Sequence, residues 1–357
     1  MRVLPSGGRL PCDERLVRAW HRLEADGTLP SQTIAFHAAL SGTMMSGEVL
    51  NLVTVEEGGD VTGILPLCRR RAALSRWHAA GVRQVYEPAD ALCRDTAAAE
   101  RLAAKLSRFS RPLRLDRIPA GSPLVPALAA AMKGRGLVIT RPAKACPTIL
   151  FEPGATDPEQ RFNAGRRSDF RRARRRAEAL GAVSFEMHAP CPETFATLFE
   201  EAVAVEQRGW KGETGTALGS DAAKGAFFRE FLLRASADGT CRIALMRIGG
   251  RAVAMQLAVE FQQRYWLFKI GFDAGYARCS PGNLLMLFAM AEAAGRGLRG
   301  IELLGEVEPW IIEAWTQDAI ACLRVQTYPF NPLGLAMLLG EGLAWAWHRL
   351  PLRRNAA

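Results

Sequence analysis

No stretch of this chain stays apolar for the roughly 18–20 residues a membrane-spanning helix needs, so no transmembrane segment is expected. No two cysteines form C-x-x-C and none has a histidine at ligand spacing, which argues against zinc and dithiol redox motifs. The eight Cys stand singly, at 12, 68, 93, 146, 191, 241, 279 and 322, as buried reduced thiols do. None of the five His (21, 37, 78, 188, 348) is placed with Cys or Ser as a catalytic triad would require. The opening MRVLPSGGRLP lacks the apolar core of a secretory signal. A cytoplasmic location, no metal and no permanently bound cofactor are the resulting expectations.

What the chain has is positive charge, concentrated in one place. Its 357 residues favour two domains and carry a formal net charge of +10. Between Arg161 and Arg176 there are eight Arg against one Asp, so most of the excess is local. The segment RRSDFRRARRRAEALG (166–181) reads as an amphipathic helix. Phe162, Phe170, Ala173, Ala177 and Leu180 fall along one side, and Arg167, Arg171, Arg174 and Arg175 along the other. A solvated or lipid-facing surface and a phosphate-contacting wall of a cleft both fit it. Nucleic acid fits poorly, because no aromatic platform is interleaved and the charge elsewhere is near zero.

The second half of the chain gives the clearer pattern. A strand at 182–188 precedes helices at 193–209 and 221–239, then strands at 241–248, 251–261 and 264–273. Gly249-Gly250 marks a tight hairpin between the first two of those three strands. A helix at 283–297, a strand at 300–305, a short helix at 308–315 and a strand at 321–328 follow. The first half repeats the order more faintly, with helices at 13–25 and 31–41 and strands at 50–56 and 61–68 turning at Gly58-Gly59. A helix at 95–108, a strand at 112–118, a helix at 123–135 and a strand at 137–151 complete it. The fold class expected is α/β, as a mixed (α+β) sheet flanked by helices. The motif GRGLRG (295–300) matches a dinucleotide fingerprint but follows a helix and precedes a strand, the reverse of what pyrophosphate binding needs.

With this element order the chain resembles the GNAT acyltransferase superfamily. More narrowly it resembles the tandem-GNAT cellulose-biosynthesis-associated acetyltransferase family, and more distantly the Fem peptidyltransferases. The similarity is carried by the Arg-rich helix leading into a strand, GWK (209–211), GFDAGYARCSPGNLL (271–285), IELLG (301–305) before an aromatic-rich helix, and GILPL (63–67). Two departures stand out. Pro281 and Asn283 occupy the glycine positions of the superfamily's pyrophosphate loop, and Trp310-Ile311 stands where narrower-family members carry Tyr-Lys. The resemblance implies two GNAT-like domains in tandem: a degenerate N-terminal one (1–154), an Arg-rich connecting helix (155–181), a C-terminal acyltransferase domain (182–330) and a tail helix (331–357).

The resemblance also implies an acyl-CoA co-substrate and a small-molecule, lipid or polysaccharide-precursor acceptor with an amine or hydroxyl. A non-catalytic scaffold on the same fold is the alternative. In the family the fourth and fifth strands part and the thioester lies between them. Backbone at Ile270, Gly271 and Phe272 would then hydrogen-bond the thioester carbonyl. Arg278, Ser280, Gly282 and Asn283 would hold the pyrophosphate at a helix N-terminus, with Ser280 as cap and Pro281 in the first turn. Glu306, Glu308 and Asp273, with Glu206 behind them, are the candidate proton acceptors, and Tyr276 the donor to the leaving thiolate. Arg166, Arg167, Arg171, Trp210 and Lys211 would face the acceptor. Finally, LGLAMLLGEGLAWAWHRLPLRR (333–354) suits either a helix docked on the protein's own core or peripheral contact with the inner face of the membrane, with Trp345 and Trp347 at headgroup level and Arg349, Arg353 and Arg354 on anionic lipid.

Overall fold

Two glycine pairs set the hairpins that organise the chain. Gly58 and Gly59 have φ of 58° and 89°, and Gly249 and Gly250 have 58° and 80°. Two consecutive positive φ values match the twist of antiparallel strands, and glycine takes both without steric cost. The computed structural model describes residues 2–3, 14–152, 154, 157–209, 218 and 221–349, with side chains of the last helix described to residue 344.

The N-terminal half contains β1 (Arg2–Val3), α1 (Glu14–Glu24), α2 (Ile34–Thr43), β2 (Glu48–Glu57), β3 (Asp60–Arg70) and β4 (Trp77–Ala79). It continues through α3 (Val82–Val85), β5 (Leu92–Cys93), α4 (Thr96–Leu106), β6 (Leu113–Pro119), α5 (Leu124–Ala131) and β7 (Gly136–Leu150). The C-terminal half contains α6 (Ala164–Glu178), β8 (Val183–His188), α7 (Pro192–Gln207), α8 (Ala222–Ala237), β9 (Cys241–Ile248), β10 (Arg251–Phe261) and β11 (Arg264–Phe272). After it come α9 (Pro281–Gly295), β12 (Gly300–Glu302), α10 (Pro309–Ala314), β13 (Ala319–Pro329) and α11 (Pro332–Arg349). The mixed α/β class read from the sequence is the class observed.

The helix starts follow from capping. Side chains of Thr33, Asp95, Asn163 and Asp221 accept backbone N–H groups of α2, α4, α6 and α8. All these strands lie on one sheet path, β1-β2-β3-β4-β6-β13-β7-β12-β11-β10-β9-β8, with β5 on β3. The two halves exchange strands along it. The end of β7 pairs with β12 of the C-terminal half, while β13 inserts antiparallel between β6 and β7 of the N-terminal half. The divisions expected at 154 and 182 are therefore both crossed by strand pairing.

A shared core also joins the halves. Phe36 and Leu40 of α2 pack with Phe195 and Phe199 of α7, Phe227, Phe228 and Phe231 of α8, Phe268 of β11, and Leu304. The Phe36 ring meets Phe227 and Phe231 edge-on at centroid distances of 5.1 and 5.4 Å, a favoured aromatic geometry. On the opposite face, α6 buries Phe170, Ala173 and Ala177. Phe162 precedes that helix and packs edge-on against Phe170 and Trp315. Leu180 differs from the sequence reading: it lies past the end of α6 and is 59% exposed. Among the described cysteines, Cys68, Cys146, Cys241, Cys279 and Cys322 are buried thiols, Cys93 is half-buried, and Cys191 is exposed.

Candidate functional site

Strands β11 and β12 run parallel but pair over only three positions, Arg264 with Gly300, Tyr265 with Ile301 and Trp266 with Glu302. The closed end is pinned by charge. Glu302 is fully buried, ion-pairs with Arg264 and accepts from Thr148 Oγ1 at 3.0 Å. Burial pushes the Glu302 carboxyl up, opposed by Arg264 and Thr148. Beyond Glu302 the chain leaves β11. The Leu303 N–H bonds Pro147 O at 3.0 Å, and Leu304 and Gly305 take φ of 55° and 57°. The strand expected over 300–305 thus ends at Glu302, because a left-handed bend ends its pairing. β11 meanwhile continues to Phe272, paired with β10 on one edge. Its other edge has no strand partner among the described residues past Trp266. A bulge at Phe268, where Leu267 faces Ala258 and Lys269 faces Leu257, turns β11 at the point of parting.

Ile270, Gly271 and Phe272 lie on this parted stretch. A Cβ at Gly271 would stand 3.0 Å from both Cα and Cβ of Glu206, so the glycine lets α7 press directly on the strand. Glu206 is itself buried, and its Oε2 accepts from the Leu218 N–H at 2.9 Å. Asp273 closes the strand end as a clamp. It accepts from Arg208 Nε at 2.8 Å, Arg251 at 2.9 Å and the Gly275 N–H at 3.0 Å. Burial alone would raise its carboxyl, but these donors outweigh it and hold it below the usual value. A carboxylate so occupied is poorly suited to accept a substrate proton.

Past this clamp a 3-10 helix, Ala274–Cys279, leads into α9. Tyr276 is half-buried on it, and Arg278 is exposed. Ser280 stands at the α9 N-cap position, yet its side chain makes no cap hydrogen bond. The sequence reading of Ser280 as a capping side chain is corrected here: φ of 46° and ψ of 51° are left-handed, whereas a capping side chain sits on extended backbone. Its carbonyl serves instead, accepting from Asn283 and Leu284 at 3.0 and 3.2 Å. Pro281 occupies the first turn as expected. The Gly282 N–H is left without a backbone partner among the described residues. A Cβ there would meet Phe272 Cδ1 at 3.6 Å, ordinary contact distance. Helix α6 runs alongside, and Arg176 donates to Arg278 O at 3.2 Å. The α9 N-terminus thus combines a helix dipole with two nearby guanidinium groups, a suitable seat for phosphate.

The remaining sequence candidates are dispersed. Arg166 lies over the Phe170 ring at 5.0 Å and the Trp315 ring at 6.0 Å. Arg171 is exposed and Arg167 half-exposed, on the outer side of α6. Glu308 accepts from Trp310 Nε1 at 2.6 Å on an exposed surface. Trp210 and Lys211 lie outside the described residues. A cavity of about 570 Å³ lined by Phe162, Met290, Ala294 and Trp315 lies at the other end of α9 from Ser280. It is therefore not the parted gap.

Glu306 is the candidate whose setting says most. Tyr86 donates to it at 2.7 Å and Lys144 lies 3.1 Å away, and these two hold its carboxyl below the usual range. Both partners come from the N-terminal half. Arg117, 2% exposed, stacks on the Tyr86 ring at 4.4 Å and donates to the carbonyls of Tyr86 and Gly305. Next to Tyr86 is Glu87, 8% exposed, with Oε2 sealed off and unbonded. Sequence reading missed this group. Its one signal was VYEPADA (85–91), which brings Tyr and Glu together within a stretch that has no period of its own.

Residues 164–310 match the family model for the acetyltransferase (GNAT) domain, from the start of α6 into α10. That match supports an acyltransferase kind of enzyme, and the parted strands and helix N-terminus described above fall inside it. Among solved structures the chain resembles FemX, with a TM-score of 0.60 and 12% identity over 95% of this chain and 100% of that one. It also resembles the C-terminal domain of a protein described as a lysylphosphatidylglycerol synthetase from Agrobacterium fabrum, with a TM-score of 0.58 and 13% identity over 93% and 96% of the two chains. At such identities the similarity is one of fold, and that fold is GNAT-like. No curated protein sequence matches the chain.

Proposed function

We propose that the protein transfers an acyl group from acyl-CoA to an amine, or a hydroxyl, of a cell-envelope lipid or polysaccharide precursor. The observation that carries this reading is the parting of β11 from β12 after three pairs, with the α9 N-terminus beside the opening. A thioester laid along Ile270–Phe272 would run beside the strand edge that β12 has left, where a backbone N–H can meet its carbonyl. The diphosphate would meet Gly282, Asn283 and Arg278, with α6 adding charge through Arg176. Tyr276 is near enough in sequence to this seat to serve the leaving thiolate, and Glu306 lies beyond β12 on the other wall. Asp273 serves as a clamp rather than as the base.

The envelope acceptor is supported by the fold's occurrence in a lysylphosphatidylglycerol synthetase domain, and a polysaccharide precursor by the resemblance to the narrower tandem family. A binding scaffold is favoured only by the loop itself, where Pro281 removes a donor and Ser280 is left-handed. One measurement separates the two. Acetyl-CoA at a hundred times its dissociation constant should stabilise the enzyme by about 2.7 kcal/mol, read as a rise in Tm. The absence of any shift with acetyl-CoA and longer acyl-CoAs would select the scaffold.

Contact with a membrane surface forms part of the same proposal. Among the described residues no helix is long and apolar enough to cross a membrane. However, α11 turns Glu341 inward to Arg76, Gln326 and Tyr328, which leaves Leu335, Leu339 and Leu343 outward at 46%, 67% and 72% exposure. Leu74, 69% exposed, lies two residues from Arg76, and Arg71 and Arg111 crowd Arg69 nearby. Leucines rimmed by arginines suit an anionic bilayer. Leu339→Asp should therefore cut co-sedimentation with anionic vesicles several-fold and leave Tm unchanged. Equal sedimentation of the variant would remove this contact from the proposal.

A further inference from the structure

We infer that Glu87, supplied by the N-terminal half, stands across the mouth of the β11–β12 gap and takes the proton of an amine acceptor. This rests on the acyl-transfer reading of the gap. The position follows from what surrounds the carboxylate. Lys269, on the stretch of β11 that has parted from β12, and Arg117, which donates to Gly305 just past β12, both act on it electrostatically. Arg117 also donates to Cys146 Sγ of β7 at 2.7 Å, and Tyr86 donates to Glu306, which ion-pairs with Lys144. Glu87 follows Tyr86, whose hydroxyl and carbonyl reach Glu306 and, through Arg117, Gly305 just past β12, and it lies within electrostatic range of Lys269 on β11.

A buried carboxylate oxygen with no hydrogen bond is rare in folded proteins and calls for a reason. Here Glu87 Oε2 is such an oxygen. An incoming amine would supply the missing donor. Burial raises the Glu87 carboxyl to about 7, with Lys269 and Arg117 pulling against that rise. A base in this range is about half ionised at pH 7 and strong enough to accept a proton from an ammonium ion brought beside it.

The step balances as follows. Glu87 takes one proton from the acceptor's ammonium group. The freed nitrogen pair attacks the thioester carbonyl carbon, and the C–N bond forms. Collapse of the adduct breaks the C–S bond, and the second N–H proton goes to the departing thiolate. The products are an amide, the CoA thiol and protonated Glu87, which returns its proton to water.

The experiment uses the full-length protein with glycinamide as probe acceptor and acetyl-CoA as donor, after acetyl-CoA binding has been measured separately. Failure of that binding removes the acyl-transfer reading itself. Given binding, thiol release should rise with pH through about 7, and Glu87→Gln should abolish that limb. The variant's kcat should fall by about 10²–10⁴-fold with the acetyl-CoA KM unchanged. Tm at alkaline pH should be equal or higher, because the variant no longer buries a charge. A purely structural counterion of Arg117 would give the reverse, lower Tm and unaltered thiol release, and would overturn the inference.

Should the wild type turn over glycinamide too slowly to measure, labelling decides. A water-soluble carbodiimide with glycinamide at mildly acidic pH should modify Glu87, located by peptide mass, and saturating acetyl-CoA should block it. An unmodified Glu87, or modification indifferent to acetyl-CoA, overturns the inference.

Discussion

Phe36→Ala should lower unfolding free energy by about 3–5 kcal/mol, the usual range when a fully buried aromatic is truncated and its cavity is only partly refilled. Phe36 is 1% exposed and belongs to α2, but the rings it touches, Phe227 and Phe231, belong to α8. Gly81 also faces it closely: a Cβ there would lie 2.8 Å from the Phe36 ring. The site is therefore walled by both halves and has little freedom to collapse. The measurement is a denaturant titration. The midpoint should fall with the slope unchanged, and one transition should persist, since β7 and β13 still tie the halves together. Two separated transitions would mean that the aromatic seam alone makes the halves unfold as one.

Arg117→Ala should be comparably damaging, at about 3–5 kcal/mol, because it removes one member of a buried charged network and strands the others. The guanidinium holds the carbonyls of Tyr86 and Gly305 and lies against Cys146, so its loss frees the segment that presents Glu87. The deficit should also depend on pH in a definite direction. Glu87 has a folded value near 7, raised by burial, above the ordinary glutamate value of about 4.3. Its ionisation therefore counts against the folded state, more so as pH rises from the unfolded value to the folded one. Removal of Arg117 takes away one of the two charges that favour the ionised form, and the folded value climbs further. The difference between variant and wild type should widen from about pH 6 to about pH 8, then level off. A difference that is flat across that range would show that Arg117 does not act on Glu87. The double variant with Glu87→Gln should lose the pH dependence while keeping the loss of the carbonyl contacts.

Most of the architecture was legible because its signals are local. Period-3.6 patterns gave α7 and α8, glycine pairs gave both hairpins, and the alternation of apolar residues gave β9 to β11 within a residue or two. The Arg-rich helix was legible down to its buried face of Phe170, Ala173 and Ala177. What was not legible depends on contacts between distant segments. The parting of β12 from β11 needs the Leu303–Pro147 hydrogen bond, which joins residues far apart in sequence. The left-handed Ser280 hides behind a sequence, Ser-Pro-Gly, that reads as an ordinary capped start. Residues 77–93 fold as two very short strands and a single helical turn, too brief for any period to register. Tyr86 and Glu87 lie in that stretch, and folding alone brings Tyr86 to Glu306 of the C-terminal half. Asp273 and Glu308 stand where the sequence puts them, directly after β11 and directly before α10. Their hydrogen-bond partners, which decide whether they are free to react, are visible only in three dimensions.

The insertion of β13 between β6 and β7 has a consequence for how the protein is made. During synthesis β6 and β7 emerge early, but each must wait for β13, which is encoded far later in the chain. Until Pro329 has left the ribosome, two long strand edges of the first half stay open to the wrong partners. The closing stretch of the chain is therefore what covers those edges and fixes the earlier half in its final pairing.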